Sequence, residues 1–285
     1  MIINGETIVV GLFGDPVSHS LSPAMHNAAF QERDLNFCYL PFHVCKEDLP
    51  GAVKAICSLG LRGVNVTAPH KEAIVPYLND LSAEAGFLNA VNTIVNRGGK
   101  LSGHNTDVYG FLFLLQNNLG KTFSAEKACL LGAGGAARAV ALALNRVGVK
   151  SLVIANRTTA RAEHMASFLM ENRILKDSAV SIIKLDKKNL QENAANATLM
   201  INALSEDPFE LGFLPQAGLQ GCRVAIDLRY HSLETPFMKW AAGNGVLAFN
   251  GLDMLLGQGI KAFEIFTGVQ APVGIMREAL VKGLK

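Results

Sequence analysis

Two periodicities alternate along this chain. Short runs rich in apolar and β-branched residues, "TIVVGLFG" (7–14), "FCYLPFHV" (37–44) and "RGVNVT" (62–67), are separated by longer stretches with helix-like spacing at 22–33 and 46–59. Runs that are apolar almost throughout suit strands covered on both faces, so the alternation predicts an α/β architecture with largely parallel strands. From Val108 the helical segment "VYGFLFLLQNNLG" ends at Gly120, and "KACLLGAGGAARAVALALNRVGVKSLVIANR" then reads as strand, glycine turn, helix and strand. A second βαβ unit begins there. The segments "ATLMINAL", "RVAIDLRY" and "GVLAFN" extend its sheet, after which "GLDMLLGQGIKAFEIFTG" returns to helical spacing.

Length agrees with two units: 285 residues exceed the roughly 100 to 200 typical of one domain, and domain interfaces are common places for ligand sites. Apolar residues make up 49% and charged residues 18%, which supplies a large core and excludes a disordered chain. The net charge of +2 comes from scattered lysines and arginines, so there is no footprint for nucleic acid or an anionic membrane, and a small-molecule partner is expected. The N-terminal "MIINGETIVVGLFG" has no basic region or cleavage site, and no apolar run nears the roughly 20 residues of a membrane span, so a cytoplasmic location is expected. Cys38, Cys45, Cys57, Cys129 and Cys222 form no C-x-x-C pair and lie mostly in apolar segments; buried reduced thiols are expected, with no metal site.

Gly132-Ala133-Gly134-Gly135-Ala136 opens a G-x-G-x-x-A turn between strand "ACLL" and an alanine-rich helix. Such glycines permit a tight turn and close approach of a pyrophosphate to a helix N-terminus, the dinucleotide fingerprint; a glycine-rich connection that only packs helix on strand is the alternative. At the end of the next strand, "VIANRTTARAEH" places Asn156, Arg157, Thr158 and Arg161 where an NAD-selective turn would carry an acid, so NADP is the expected cofactor.

The segment "SHSLSPAMHN" (18–27) holds three serines, of which Ser22 before Pro23 reads as a helix N-cap. "GVNVTAPHK" (63–71), "NAVNTI" (89–94) and "GHNTD" (103–107) each place Asn or Thr at a strand-like end, a set suited to reading a polyhydroxylated solute. Turn and cap roles are the alternative for each residue taken singly. With one Lys and one Asp among them, Lys71 and Asp107, the set also offers a proton donor, for which His70 is the rival on residue chemistry alone.

These motifs, together with "GHNTDVYGF", "GAGGAARA", "NRT" and "GLDMLLGQGIKAFEIFTG" in the same order, resemble the shikimate dehydrogenase family nearly end to end. The resemblance implies an α/β substrate-binding domain over 1–107, a Rossmann-type NADP-binding domain over 108–250, and C-terminal helices over 251–285 that pack back on the first domain. It implies reduction of 3-dehydroshikimate to shikimate with NADPH. Lys71 and Asp107 match the catalytic pair. Ser20 and Ser22 would hold the substrate carboxylate, and Asn65, Thr67, Asn92, Asp107, Tyr230 and Gln258 would complete its pocket. Gly251 and Met254 would join the glycine turn and the 156–161 segment around the cofactor. A quinate/shikimate dehydrogenase is the runner-up, and a ligand sensor without turnover the alternative from another class. A monomer or homodimer is expected. Three segments depart from the family pattern: "SEDPFE" (205–210) where Thr-Ser and a glycine turn are usual, Tyr230-His231-Ser232 where Tyr-Asn-Pro is usual, and Leu88-Asn89 in place of small residues.

Overall fold

The computed structural model describes residues 2–172, 179–215 and 220–284. They divide into two compact units, Met1–Gly110 with Leu256–Lys285, and Phe111–Leu255. The first unit begins β1 (Ile8–Gly14), α1 (Ser22–Glu32), β2 (Phe37–His43), α2 (Leu49–Ser58) and β3 (Gly63–Val66). It continues with β4 (Asp80–Leu81), α3 (Ala83–Leu88), β5 (Thr93–Arg97), β6 (Lys100–His104) and the start of α4 (Asp107–Leu119). Its sheet has the order β2-β1-β3-β5-β6-β4. β1 pairs parallel with β2 and β3, as the apolar runs predict, but β5 is antiparallel to both β3 and β6. The departure has a local cause: two glycines at positive φ, Gly98 and Gly99, turn β5 directly into β6, a hairpin that a crossover-based reading misses.

The second unit holds β7 (Lys127–Leu131), α5 (Gly135–Arg146), β8 (Ser151–Asn156), α6 (Thr159–Glu171), β9 (Ala179–Lys184) and α7 (Lys187–Asn193). It then adds β10 (Leu199–Asn202), β11 (Val224–Asp227), α8 (Pro236–Gly243) and β12 (Leu247–Asn250). All strands of its sheet are parallel, in the order β12-β11-β10-β7-β8-β9. Counted within the unit that is the doubly wound arrangement whose strand order reverses beside the first strand, the position where such sheets bind dinucleotides. The chain ends in α9 (Leu252–Thr267) and α10 (Val273–Gly283).

In the first unit Phe13, Val64, Val66 and Ile94 face Val53 and Ile56 of α2 across one side of the sheet. On the helix side of α1, Phe30 stacks on Phe263 of α9 at 5.4 Å, and α10 packs along α1, so the C-terminal helices belong to this unit's core. In the second unit Cys129, Val153, Met200 and Ala225 of four parallel strands share a core with Phe237 and Trp240 of α8. Burial of both sheet faces is why these strands read as continuous apolar runs. Among the described residues no helix is long and apolar enough to cross a membrane. All five cysteines are free, yet Cys57 is exposed and Cys45 half-buried, so burial describes only Cys38, Cys129 and Cys222. Cys57 sits near the C-terminus of amphipathic α2, on the face turned to solvent.

Candidate functional site

β1 and β3 run parallel, so Gly14 and Val66 end at one edge of the first sheet. Because β5 is antiparallel to β3 and β6, its first residue Thr93 pairs with Asn65 on one side and with His104, the last residue of β6, on the other. Three polar segments far apart in sequence therefore meet at this edge. The Val91 amide donates to the Lys71 carbonyl at 2.8 Å, tying the 63–71 segment to the 89–94 segment.

At the meeting point Lys71 Nζ donates to Asp107 Oδ2 at 2.6 Å. The lysine side chain is 20% exposed and the carboxylate side chain 7%, so solvent reaches the ammonium more easily than its partner. Asn92 Nδ2 donates to Asp107 Oδ1 and to Thr106 Oγ1, both at 2.9 Å. Asn92 Oδ1 accepts from the Thr106 amide at 2.8 Å and from Thr93 Oγ1 at 3.1 Å. Asp107 opens α4, and the Asn105 side chain accepts from its backbone amide at 3.1 Å, so its charge stands at the positive end of the helix. Each carboxylate oxygen thus has one donor and keeps acceptor capacity, and two of the three ammonium hydrogens remain after the bond to Asp107. The group can present a positive donor to an oxygen that gains charge and can accept from a hydroxyl beside it.

The structure separates Lys71 from its rival. His70 is fully buried, and its Nε2 donates to the Val44 carbonyl at 2.7 Å, which directs its proton into the core. Ser22 requires a correction. It is the first residue of α1 rather than its N-cap, which is Leu21, and no side chain caps that helix. The Ser20 hydroxyl instead accepts from the Ser22 amide at 3.2 Å, a turn that satisfies one helix N–H two residues on. Ser20 keeps its O–H to donate, while Ser22 is buried at the helix start. The second histidine of this stretch, His26, lies wholly in the core, stacked on Tyr39 at 4.5 Å, and burial lowers its pKa to about 3.

Asn65 occupies β3 with both amide hydrogens used, toward the Asn92 carbonyl at 3.1 Å and Thr93 Oγ1 at 2.9 Å. Its Oδ1 accepts from the Tyr39 hydroxyl at 2.8 Å, leaving acceptor capacity alone for a ligand. Thr67, half-buried, follows β3 at the same edge. Gln258 lies on α9 next to Gly259, against which the end of the Met25 side chain of α1 packs. Asn105 and Thr106, which orient Asp107 and Asn92, were not singled out from sequence; their place inside "GHNTD" was the available signal.

In the second unit, Gly132 follows β7 at φ +106, a conformation that favours glycine, and its amide donates to the Ala155 carbonyl at 2.8 Å. Gly134 caps α5 without a side chain, and open space lies where its Cβ would be. Ala133 and Ala136 are half-buried and Gly135 is the first helical residue, so the uncapped N–H groups of α5 face outward beside the reversal of strand order. Such a terminus suits a pyrophosphate. Asn156 ends β8 and donates to the Thr158 carbonyl at 2.8 Å, shaping the turn that carries Arg157. Arg157 and Arg161 are exposed, and Thr158 is the N-cap of α6. Arg157 pairs with Glu206 at 2.8 Å, an acid that sequence reading left unassigned. These residues fit an NADP-type dinucleotide. Tyr230 is half-buried, and burial raises its phenol above the usual value, keeping it protonated. Gly251 abuts the Leu228 carbonyl so closely that a Cβ would clash, and Met254 is buried in the first turn of α9.

One further cluster was not legible: Asp15, His43 and Cys45 bring potential ligand atoms within 4.8 Å of one another. The sequence clue is His-x-Cys at the end of β2, and His43 Nε2 donates to Asp15 Oδ1 at 2.7 Å on the exposed surface.

Comparison with known proteins returns one family along the chain. Residues 12–94 match the shikimate dehydrogenase substrate binding domain, 114–206 match shikimate / quinate 5-dehydrogenase, and 251–281 match the shikimate 5'-dehydrogenase C-terminal domain. A shikimate dehydrogenase (NADP(+)) of Desulforamulus reducens is 43% identical over 284 residues, covering 98% of this chain and 97% of its own. A crystal structure of shikimate dehydrogenase in complex with NADP+ has a TM-score of 0.87 at 35% identity, covering 100% of this chain and 98% of that one. The shikimate 5-dehydrogenase of Listeria monocytogenes, in complex with shikimate and NAD, has a TM-score of 0.85 at 35% identity, covering 98% of each chain.

Proposed function

This chain belongs to the shikimate dehydrogenase family, and on that premise we propose that it interconverts 3-dehydroshikimate and shikimate with NADP as cofactor. The observation that carries the reading is the Lys71–Asp107 pair at 2.6 Å, braced by Asn92. The cofactor supplies or takes up the hydride. In the reducing direction negative charge grows on the ketone oxygen, and the Lys71 ammonium donates a hydrogen bond to that oxygen and then its proton. Asp107 pairs with the Lys71 ammonium and accepts from a neighbouring substrate hydroxyl, while Asn92 holds Asp107 in place. Ser20 and Ser22 hold the carboxylate, and Asn65, Thr67, Tyr230 and Gln258 contact the ring. Gly132 to Ala136 bind the pyrophosphate, Asn156, Arg157, Thr158 and Arg161 the adenosine ribose phosphate, and Gly251 and Met254 the nicotinamide end. The domain assignment is 1–107 for substrate, 108–250 for cofactor and 251–285 for the returning helices. The enzyme works in the cytoplasm as a monomer or homodimer.

Reduced-nicotinamide absorbance with shikimate and NADP+ tests the mechanism. Wild type turns over, and Lys71→Ala lowers kcat by roughly 10²- to 10⁴-fold with KM little changed, the range for a positioned acid acting in the transition state. Near wild-type kcat in a folded Lys71→Ala protein would end the assignment.

A further inference from the structure

The segment "SEDPFE", which departs from the family pattern, is anchored by its own acid. Asp207 is buried, and its Oδ1 accepts from the Phe209 amide at 2.9 Å. Its Oδ2 accepts from the Phe237 amide at 3.1 Å and from the Arg229 guanidinium, which also bonds Asp227. The neighbouring Glu206 is thereby set at the exit of β10, where it pairs with Arg157 at the exit of β8. Because β7 lies between β8 and β10, this pair reaches across the strand that carries the glycine turn. Arg157 is also the guanidinium assigned above to the ribose 2′-phosphate, so one cation faces two acids.

We propose that Glu206 is a cofactor-specificity residue: it competes with the 2′-phosphate of NADP for Arg157 and narrows this chain's preference for NADP over NAD. The inference rests on the assignment of Arg157 to that phosphate. NAD, with a hydroxyl at the 2′ position, leaves the Arg157–Glu206 pair intact. NADP must take the guanidinium from Glu206 and hold a dianionic phosphate near its carboxylate. Both side chains are about half exposed, at 53% and 50%, so water and salt screen the competition and its size is modest.

The test is calorimetric titration of the intact protein with NADP+ and with NAD+, for wild type, Glu206→Gln, Arg157→Ala and the double variant, with urea unfolding as a check on folding. The proposal expects Glu206→Gln to tighten NADP+ by roughly three- to tenfold, the scale of a surface ion pair plus one like charge, and NAD+ by less than about twofold. Raising the salt concentration should shrink the gain. In the Arg157→Ala background the Glu206 substitution should no longer tighten NADP+, beyond the small repulsion left between carboxylate and phosphate. Equal tightening of both cofactors, or no tightening of NADP+ while Arg157→Ala still removes the preference, overturns the role of Glu206 and leaves the proposed function standing. An Arg157→Ala protein that loses no NADP+ preference overturns the Arg157 assignment itself.

Discussion

Asn65 and Asn92 are the same residue type at the same sheet edge, yet their chemistry differs because their neighbours do. Both have spent their amide hydrogens, but Asn65 spends them on the neighbouring strand whereas Asn92 gives one to Asp107 and accepts from Thr93 and Thr106, which makes it a brace for Asp107. Ser20 accepts inside its turn and can still donate outward. Ser20→Ala is therefore expected to raise the shikimate KM by roughly tenfold or more, for a charge-assisted bond of about 1.5 to 3 kcal/mol, with cofactor affinity unchanged; an unchanged KM would make Ser20 a turn residue only. His70→Ala is expected to leave kcat within a few-fold because its ring proton points at Val44, and a collapse in kcat would move the acid role to it. His26 gives a pH effect of defined sign. Its pKa is about 3 folded against 6.5 ordinarily, so the unfolded chain binds the proton first and stability falls as pH drops from about 6.5 toward 3. Between pH 8 and 5 the loss is about 2 kcal/mol, and His26→Phe should flatten that part of a urea-midpoint profile. A wild-type midpoint indifferent to pH across that range would contradict the buried neutral imidazole.

Among the elements, the parallel strands were legible because burial on both faces leaves an apolar signature that needs no partner to be seen. The β5–β6 hairpin was not, since its strands are short and its turn is a Gly-Gly step that reads equally as a loop. Without its antiparallel sense, residue chemistry could suggest that "GVNVTAPHK", "NAVNTI" and "GHNTD" converge but gave no geometric reason for it, and the Asn92 brace could not be seen at all. The Leu88-Asn89 departure also resolves at this scale: Leu88 is fully buried, and Asn89 closes α3 in the left-handed conformation that asparagine tolerates. In sequence "SEDPFE" reads only as a departure from the family pattern, because nothing local shows that Asp207 is buried against Arg229 and the start of α8. Asp207→Ala leaves the Phe237 amide without its partner and takes one of the acids from Arg229. It is expected to cost about 1 to 3 kcal/mol in the second unit, read as an earlier urea transition. An unshifted transition would mean the loop is not anchored there.

For the molecule as a whole, the glycine turn alone would have left the substrate open, and the polar edge alone would have left the reaction open. The first unit supplies a cation held by a buried acid and a set of hydrogen-bonding side chains, and the second supplies a glycine turn before α5 and, after the next strand, an arginine rather than an acid. Both are what the proposed hydride transfer at a polyhydroxylated carbon requires. The extra ring hydroxyl of quinate lies beside its carboxylate, the group that the proposed function gives to Ser20 and a buried Ser22. Initial rates at the reduced-nicotinamide absorbance band, with shikimate and with quinate, each against NADP+ and NAD+, on the intact chain, test the proposed substrate and cofactor together. A shikimate dehydrogenase selective for NADP, as proposed, gives the highest kcat/KM for shikimate with NADP+, a lower value with NAD+, and the weakest turnover with quinate. Turnover of quinate with NAD+ that matches or exceeds shikimate with NADP+, or binding of shikimate with no turnover in any pairing, would contradict that proposal.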